Sequence, residues 1–252
     1  MIKISACIIT FNEADRIEAC IKSLSFCDEI IVVDSGSTDA TVVLAESLGA
    51  KVSYRKFEGF RTQKQFAVEQ ASFDWILSLD ADEIVTEKLR QQIIALQHLG
   101  LDSYSGYKFP RCLFYHNKFL RHGNAYPNRI LRLFNKTQAG WHGDKEIHER
   151  VVNRGKTGSL SGDLEHYAYR GFSHELQKRR QYALMMADFR NQQHKKASFI
   201  KLFVSPILHF VRGYFFRLGF LDGWQGLVFQ LNKSHYSMQK ELYLMDLQRN
   251  QA

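Results

Sequence analysis

Along the first hundred residues, unbroken apolar runs alternate with segments whose apolar positions recur every three or four residues. Lys3–Thr10 (KISACIIT), Glu29–Asp34 (EIIVVD), Lys51–Tyr54 and Asp74–Leu79 (DWILSL) are short and rich in β-branched and apolar side chains, which predicts strands. Between them, Ala14–Leu24 sets Ile17, Cys20, Ile21 and Leu24 at helical spacing, with Asp15 and Glu18 near its start. Ala40–Leu48, closed by Gly49, and then Thr62–Ala71 and Glu87–Leu99 predict three more helices. Strands alternating with helices in this rhythm imply a parallel sheet covered on both faces. Right-handed crossovers bring the C-terminal ends of the strands to one edge, where open α/β sheets bind ligands. The polar residues that follow the strands collect there: Asn12 and Glu13, Asp34 and Ser35, Asp80 and Asp82.

The pattern changes after residue 100. From 101 to about 170, aromatic and basic residues mix (YKFPRCLFYHNKFLRHG, then RILRLFNK), which predicts short strands and long loops around a site. From 174 to 250 the chain reads as helices. Its aromatic, basic stretch Phe199–Phe229 is interrupted by Lys201, His209, Arg212 and Arg217, which argues against a membrane span. Pro206, Gly213, Gly219 and Gly223 are expected to divide it into short helices. The expected division is a catalytic domain over 1–173, with a nucleotide half to 100 and an acceptor half from 101, and a helical appendage over 174–252.

Charge sharpens this division. The chain of 252 residues carries a formal net charge of +8, yet residues 1–100 sum to −5 and residues 101–252 to +13. The second half therefore faces something anionic: nucleic acid, a phospholipid surface or a phosphorylated substrate. Within it, residues 176–252 carry +8. Cationic and aromatic residues together suit helices lying in a membrane interface, although a helical layer packed on the catalytic domain accounts for part of the aromatic content. The apolar fraction of 45% excludes global disorder. Cys7, Cys20, Cys27 and Cys112 form no C-x-x-C pair and read as free thiols, and the opening residues do not form a signal peptide. The expectation is a protein kept in the cytoplasm.

Leu79-Asp80-Ala81-Asp82-Glu83 is the sharpest chemical signal. Two carboxylates one residue apart at a strand end reach a single small pocket. A hard divalent ion, Mg²⁺ or Mn²⁺, prefers such oxygen ligands and is commonly shared with substrate phosphates, whose charge it neutralises as a bond breaks. Taken alone, the triplet reads better as a solvated acidic turn. Context changes the balance. In IIVVDSGSTD, Asp34 ends a strand and can accept a hydrogen bond from a nucleobase or ribose, while Ser37, Thr38 and Asp39 cap the following helix. Thr10, Asn12 and Glu13 end the first strand similarly, so three strand ends together define a nucleotide pocket.

These three motifs, CIITFNE, VVDSGSTD and WILSLDADE, in this order and spacing, resemble the N-terminal half of family 2 glycosyltransferases of the GT-A fold. The pattern His166-Tyr167-Ala168-Tyr169-Arg170, followed by Lys178, Arg179 and Tyr182, resembles the lipopolysaccharide-core members that add β-1,4-linked glucose to a heptose. The resemblance implies an α/β fold with a mostly parallel sheet between helices and a C-terminal helical appendage. It also implies inverting, metal-dependent transfer of a hexose, glucose from UDP-glucose, to an inner-core heptose hydroxyl. By position it implies Asp34 at the uracil, Asp80 near ribose and metal, Ala81 at the donor, and Asp82 as the direct metal ligand. It puts Lys64 near the diphosphate and Glu149 as general base, with Glu146 and Asp144 in reserve. For Glu149, surface pairing with Arg150 or Arg154 is the competing reading. His166 is either a third metal ligand or a satisfied core histidine. Ser35 stands where the common form has a second aspartate, and Gln65 where Asn is frequent. The implied partners are a UDP-hexose, a glycolipid and the inner face of the bacterial inner membrane.

Other readings remain open. A polyprenyl-phosphate or capsule acceptor fits the same motifs. A nucleic-acid-binding module would use the basic aromatic tail, but its aromatics sit among Leu, Ile and Val, and the acidic first half repels a polyanion, so no nucleic acid is expected. His142 and His148 lack the partners that a zinc site requires. Arg129 and Arg132 in NRILRLF fit either phosphate contact or an exposed strand face.

Overall fold

The computed structural model describes residues 1–100, 104–142 and 149–249. They form two compact units: one from Met1–Arg111 with Asn128–His166, the other from Cys112–Pro127 with Tyr167–Ala252. This differs from a single cut at 173, because sixteen residues from the middle of the chain group with the C-terminal helices.

The first unit begins with β1 (Ile4–Thr10), α1 (Ile17–Ser23), β2 (Glu29–Asp34), α2 (Thr41–Ser47), β3 (Lys51–Tyr54), α3 (Phe60–Glu69) and β4 (Trp75–Asp80). Every residue of β1 is buried, as its uninterrupted apolar text requires of a central strand. β3, β2, β1 and β4 lie parallel in that order, with Thr10 opposite Asp34 and Ile9 opposite Asp80. Three strand ends thus meet at one edge. β5 (Glu83–Val85) leaves the acidic turn, and α4 (Glu87–Leu99) follows, its first turn capped by the Thr86 hydroxyl accepting from the Leu89 N–H.

The remaining strands are β6 (Gly106–Tyr115), β7 (Lys118–Phe119), β8 (Asn128–Asn135), β9 (Ala139–Trp141), β10 (Val151–Asn153), β11 (Thr157–Ser159) and β12 (Leu164–His166). β8 pairs antiparallel with both β4 and β6, and β12 antiparallel with β5. The sheet is mixed, with a parallel half and an antiparallel half. After β6 no helical crossover intervenes before β8, and directly connected neighbours run antiparallel.

Gly162 sets the approach to β12. A Cβ there would lie 2.4 Å from the backbone of Leu89, so only glycine lets this loop lie against α4. Thr86 donates its hydroxyl to the Asp163 carbonyl, and Gln92 accepts from the Ser161 and Gly162 N–H groups, fixing where β12 begins.

The second unit holds β7 and the helices α5 (Phe172–Gln192), α6 (Phe199–Val211) and α7 (Gly223–Arg249). Tyr115, Leu120, Ala125 and Phe229 form its apolar core. Glu175, fully buried, accepts from the Tyr115 hydroxyl at 2.7 Å, Arg179 Nε at 2.7 Å and Asn232 at 3.0 Å, so its charge is paired and hydrogen-bonded. Pro206 does not divide α6: the helix runs through it and gives way only at a π turn over Arg212–Phe216 and a 3₁₀ turn over Gly219–Asp222. A proline removes one internal hydrogen bond, and the remaining turns carry the helix.

α6 buries only Leu202. Phe199, Ile200, Phe203, Ile207 and Leu208 are exposed by 60–75%. By length and composition, Phe199–Phe216 is apolar enough to cross a membrane, with mean hydropathy 1.3 and 11% of it buried. Lys201 and Arg212 therefore interrupt it less than the sequence alone implies.

Candidate active site

The site stands at the C-terminal edge of β1, β2 and β4, with Glu149 beside Lys64 of α3. Asn12 adopts a left-handed backbone (φ 54°), turning the chain off β1. Its side-chain oxygen accepts from the Thr38 N–H at 2.8 Å, while its own N–H donates to the Ser37 hydroxyl at 2.8 Å. Glu13 donates its N–H to the Thr41 hydroxyl. Asp34 is buried and accepts from the Gly36 and Ser37 N–H groups at 2.7 and 2.8 Å, and from the Ser37 hydroxyl. Asp34 thus shapes its own turn, and Asp39, accepting from Thr41, starts α2. The Thr10 hydroxyl is buried without a hydrogen-bond partner among the described residues. Ser35 accepts from Gln63, a contact that the usual aspartate at this position would recast as a charged one.

Charge is concentrated around Asp80. Lys64, on α3 and 1% exposed, lies 2.8 Å from Asp80 Oδ1 and 2.6 Å from Glu149 Oε1. Arg132, on β8 and likewise buried, reaches Asp80 Oδ2 at 3.2 Å and Glu83 Oε1 at 3.6 Å. Glu83 is fully buried, accepts from the Asp80 N–H at 3.0 Å and pairs with Arg111 at 3.1 Å. Burial alone raises the Asp80 carboxyl, but Lys64 and Arg132 outweigh it and hold the group well below the usual carboxylate range. Burial opposes the Arg132 charge too, and Glu83 and Asp80 overcome it. Trp141 floors the cluster: the Lys64 ammonium lies 4.9 Å and the Arg132 guanidinium 5.1 Å from its ring. Gln65, next to Lys64, accepts from the Trp141 N–H at 3.0 Å and fixes that floor.

The geometry joins Lys64, Asp80 and Glu149 into one ion-paired set, and Asp82 and His166 into another. β12 pairs with β5 so that His166 lies opposite Glu83, and His166 Nε2 comes within 3.5 Å of Asp82 Oδ2. The buried Ala81 donates its N–H to the Ile9 carbonyl, tying the acidic turn to β1. Glu149 is not a surface partner of Arg150 or Arg154 in this arrangement; its Oε1 is held by Lys64, and its Oε2 is buried without a hydrogen-bond partner among the described residues. Asp144 and Glu146 lie outside the described residues.

For a divalent ion, Asp82 and His166 supply an oxygen and a nitrogen donor side by side, and no cluster of three or more His, Cys, Asp or Glu completes them among the described residues. Such a two-donor set fits an ion that keeps waters and takes substrate phosphate oxygens. Asp80, with both oxygens engaged by cations, is a poorer ligand in this arrangement than Asp82. Arg111, Glu83 and Trp141 were not singled out by the sequence. Glu83 lay in WILSLDADE beside Asp82, and Trp141 eight residues before Glu149, while Arg111 stood in the mixed aromatic and basic stretch YKFPRCLFYHNKFLRHG.

The chain matches the model of glycosyl transferase family 2 over residues 5–155 and belongs to that family. It is an enzyme that transfers a glycosyl group, on a GT-A fold. The lipopolysaccharide core biosynthesis glycosyltransferase LpsC of Rhizobium meliloti is 31% identical, covering 90% of this chain and 88% of its own. Among solved structures, residues 1–349 of S. aureus TarS in complex with UDP cover 99% of this chain and 92% of that one, at 13% identity and a TM-score of 0.49. Glucosyl-3-phosphoglycerate synthase from Mycobacterium tuberculosis, crystallised with Mn²⁺ and UDP-glucose, covers 42% of this chain and 43% of its own, at 26% identity and a TM-score of 0.37.

Proposed function

We propose that this glycosyltransferase moves a hexose, glucose from UDP-glucose, with inversion to a hydroxyl of an inner-core lipopolysaccharide heptose, using Glu149 as the base. The observation that carries the reading is the state of Glu149: Oε1 fixed by Lys64 and Oε2 buried without a hydrogen-bond partner among the described residues. A carboxylate so oriented accepts the acceptor hydroxyl proton as that oxygen attacks the anomeric carbon from the face opposite the diphosphate. The bond from the anomeric carbon to the phosphate oxygen breaks, its electron pair stays with UDP, and the proton stays on Glu149. Lys64 and Arg132 hold the acidic turn in place while this happens, because their charges are matched by Asp80, Glu83 and Glu149. A divalent ion on Asp82 and His166, when bound, neutralises charge on the leaving diphosphate. Thr10, Asn12, Glu13, Asp34 and Ala81 border the donor in this reading. Homology to LpsC supports the lipopolysaccharide-core pathway class.

The reading extends to location: a cytoplasmic enzyme peripheral on the inner face of the inner membrane. The exposed apolar side of α6 supports it, with Lys195, Lys196 and Lys201 at its start and Arg212 and Arg217 at its end.

Titrating nucleotide sugars into the wild type and Asp82→Ala, with and without Mn²⁺, tests the donor side. The expected result is Mn²⁺-dependent binding of UDP-glucose that the variant loses. Binding that ignores both the metal and the substitution overturns the metal assignment, and no binding of any nucleotide sugar overturns the donor reading.

A further inference from the structure

We propose that the cavity beside Glu149 is an acceptor subsite for a glycan bearing an anionic substituent, a phosphate monoester or a carboxylate, held by Lys108, Arg129 and Arg150. The proposal rests on the transferase reading and names the chemistry of its acceptor side.

The cavity measures about 560 Å³, room for a sugar and its substituents. Its apolar lining comes from β8 and β10, with Ile130, Leu131 and Val151 among it, and Trp141 adds an aromatic face for sugar C–H groups. Among the described residues its charged lining is lopsided: five cations, Lys108, Arg111, Arg129, Arg132 and Arg150, against the carboxylate of Glu149.

The five cations divide into two kinds. Arg111 and Arg132 are paired with Glu83 and Asp80, and they neutralise the acidic turn. The other three have no carboxylate partner among the described residues. Arg129 donates Nη1 to the Leu160 carbonyl at 3.1 Å, which anchors the guanidinium and leaves its other N–H groups to a ligand. Arg129 is set on β8 opposite Pro110 of β6, two residues from Lys108, and Arg150 directly follows Glu149. Three like charges lining one concave space raise its positive potential, and an anion entering it relieves their repulsion. A neutral acceptor would leave that repulsion in place. The fork of an arginine suits the two or three oxygens of a carboxylate or phosphate. Because Glu149 lines the same cavity, an anion on these cations would hold a neighbouring hydroxyl within reach of the base.

The test uses the full chain with glucose, glucose 6-phosphate and glucuronate as probes, with and without saturating UDP and Mn²⁺. Dissociation constants come from ligand-observed NMR, for the wild type and for Lys108→Gln/Arg150→Gln. Both side chains are exposed, so the double variant should melt with the wild type. The expected result is that a charged probe binds about tenfold tighter than glucose, a preference that the double variant abolishes while UDP affinity is unchanged. Tighter binding of glucose 6-phosphate identifies a phosphate monoester, and tighter binding of glucuronate a carboxylate. Equal affinity for neutral and charged probes overturns the proposal, as does a preference that survives the double variant. A fall in UDP affinity in the variant also overturns it, since the cations would then belong to the donor. Wild-type protein that binds charged probes but no UDP leaves the subsite standing and refutes the donor reading instead.

Discussion

The two units invert one another. The first turns charge inward: Lys64, Arg132 and Glu83 are buried at the strand ends, where ordinary folding economy would put apolar side chains. The second turns apolar surface outward along α6, where Phe199 and Ile200 are about three-quarters exposed. Neither arrangement serves stability by itself. Buried ion pairs roughly break even against an apolar core, and exposed phenylalanines forgo the burial that would stabilise them. On the proposed function, each unit departs from the folding optimum in the direction of what it would meet: a charged small molecule in one case, an apolar phase in the other.

The comparison can be broken most severely at the base. Glu149→Gln should lower transfer by about 10²- to 10⁴-fold, with UDP-glucose affinity within about twofold of wild type. Initial rates and calorimetry on the same preparation check it, and a variant with near-normal turnover would remove Glu149 from the chemistry. Next is Lys64→Met, which leaves Asp80 and Glu149 without their shared cation. The expected cost is about 3–5 kcal/mol of unfolding free energy, read from denaturant titration, together with loss of transfer. A variant as stable as the wild type would mean that the buried charges are not mutually held.

In the second unit, Phe203→Ser/Ile207→Ser should weaken co-sedimentation with anionic vesicles by about tenfold or more and leave the melting temperature in place, since both side chains are 63% exposed. Unchanged sedimentation would free α6 from the membrane role. Neutralising Lys195, Lys196 and Lys201 separates the electrostatic share of the same binding, and an unchanged salt dependence would eliminate it.

The smallest effect concerns Glu29 at the start of β2, buried beneath Ser5, Ser72 and Lys51. Burial opposes its ionisation, but hydrogen bonds from Lys51, Ser72 and Ser5 prevail and lower its carboxyl to about 2. With the folded value depressed, its contribution is full above the ordinary glutamate range and is lost as pH falls toward 2. Glu29→Gln should therefore cost about 1–2 kcal/mol near neutrality and flatten acid unfolding between pH 4.5 and 2. Parallel acid titrations of the two proteins would refute this assignment if their profiles kept the same shape.

Much of the first unit was legible because its strands are local statements. KISACIIT and EIIVVD have enough β-branched residues to declare themselves without partners, and β2 and β3 have the bounds their text predicts. The antiparallel half was not legible, because strands of three residues such as Glu83–Val85 and Leu164–His166 exist only through pairing with each other. The same reason hid part of the site. Arg132 in RILRLF reads either as a phosphate contact or as part of an exposed strand face, yet it points at Asp80, whose own position comes from a strand 52 residues earlier. The resemblance implied only that Lys64 is a basic residue near the diphosphate; its place between Asp80 and Glu149 depends on a residue 85 positions away. On α6 the sequence conveyed the composition but not the outcome at Pro206, since whether a helix survives a proline is decided by its neighbours.

Trp141 between its two cations has an optical consequence. The chain has 3 tryptophans. Trp75 sits in the core at the start of β4, and Trp224 lies on α7 in the other unit. Among the described residues, Trp141 alone of these has both an ammonium and a guanidinium over its ring. Its emission should therefore respond to any ligand that draws Lys64 or Arg132 away. The enzyme carries an intrinsic fluorophore at its charge cluster, and a stopped-flow trace from Trp75→Phe/Trp224→Phe would time the arrival of such a ligand without any label.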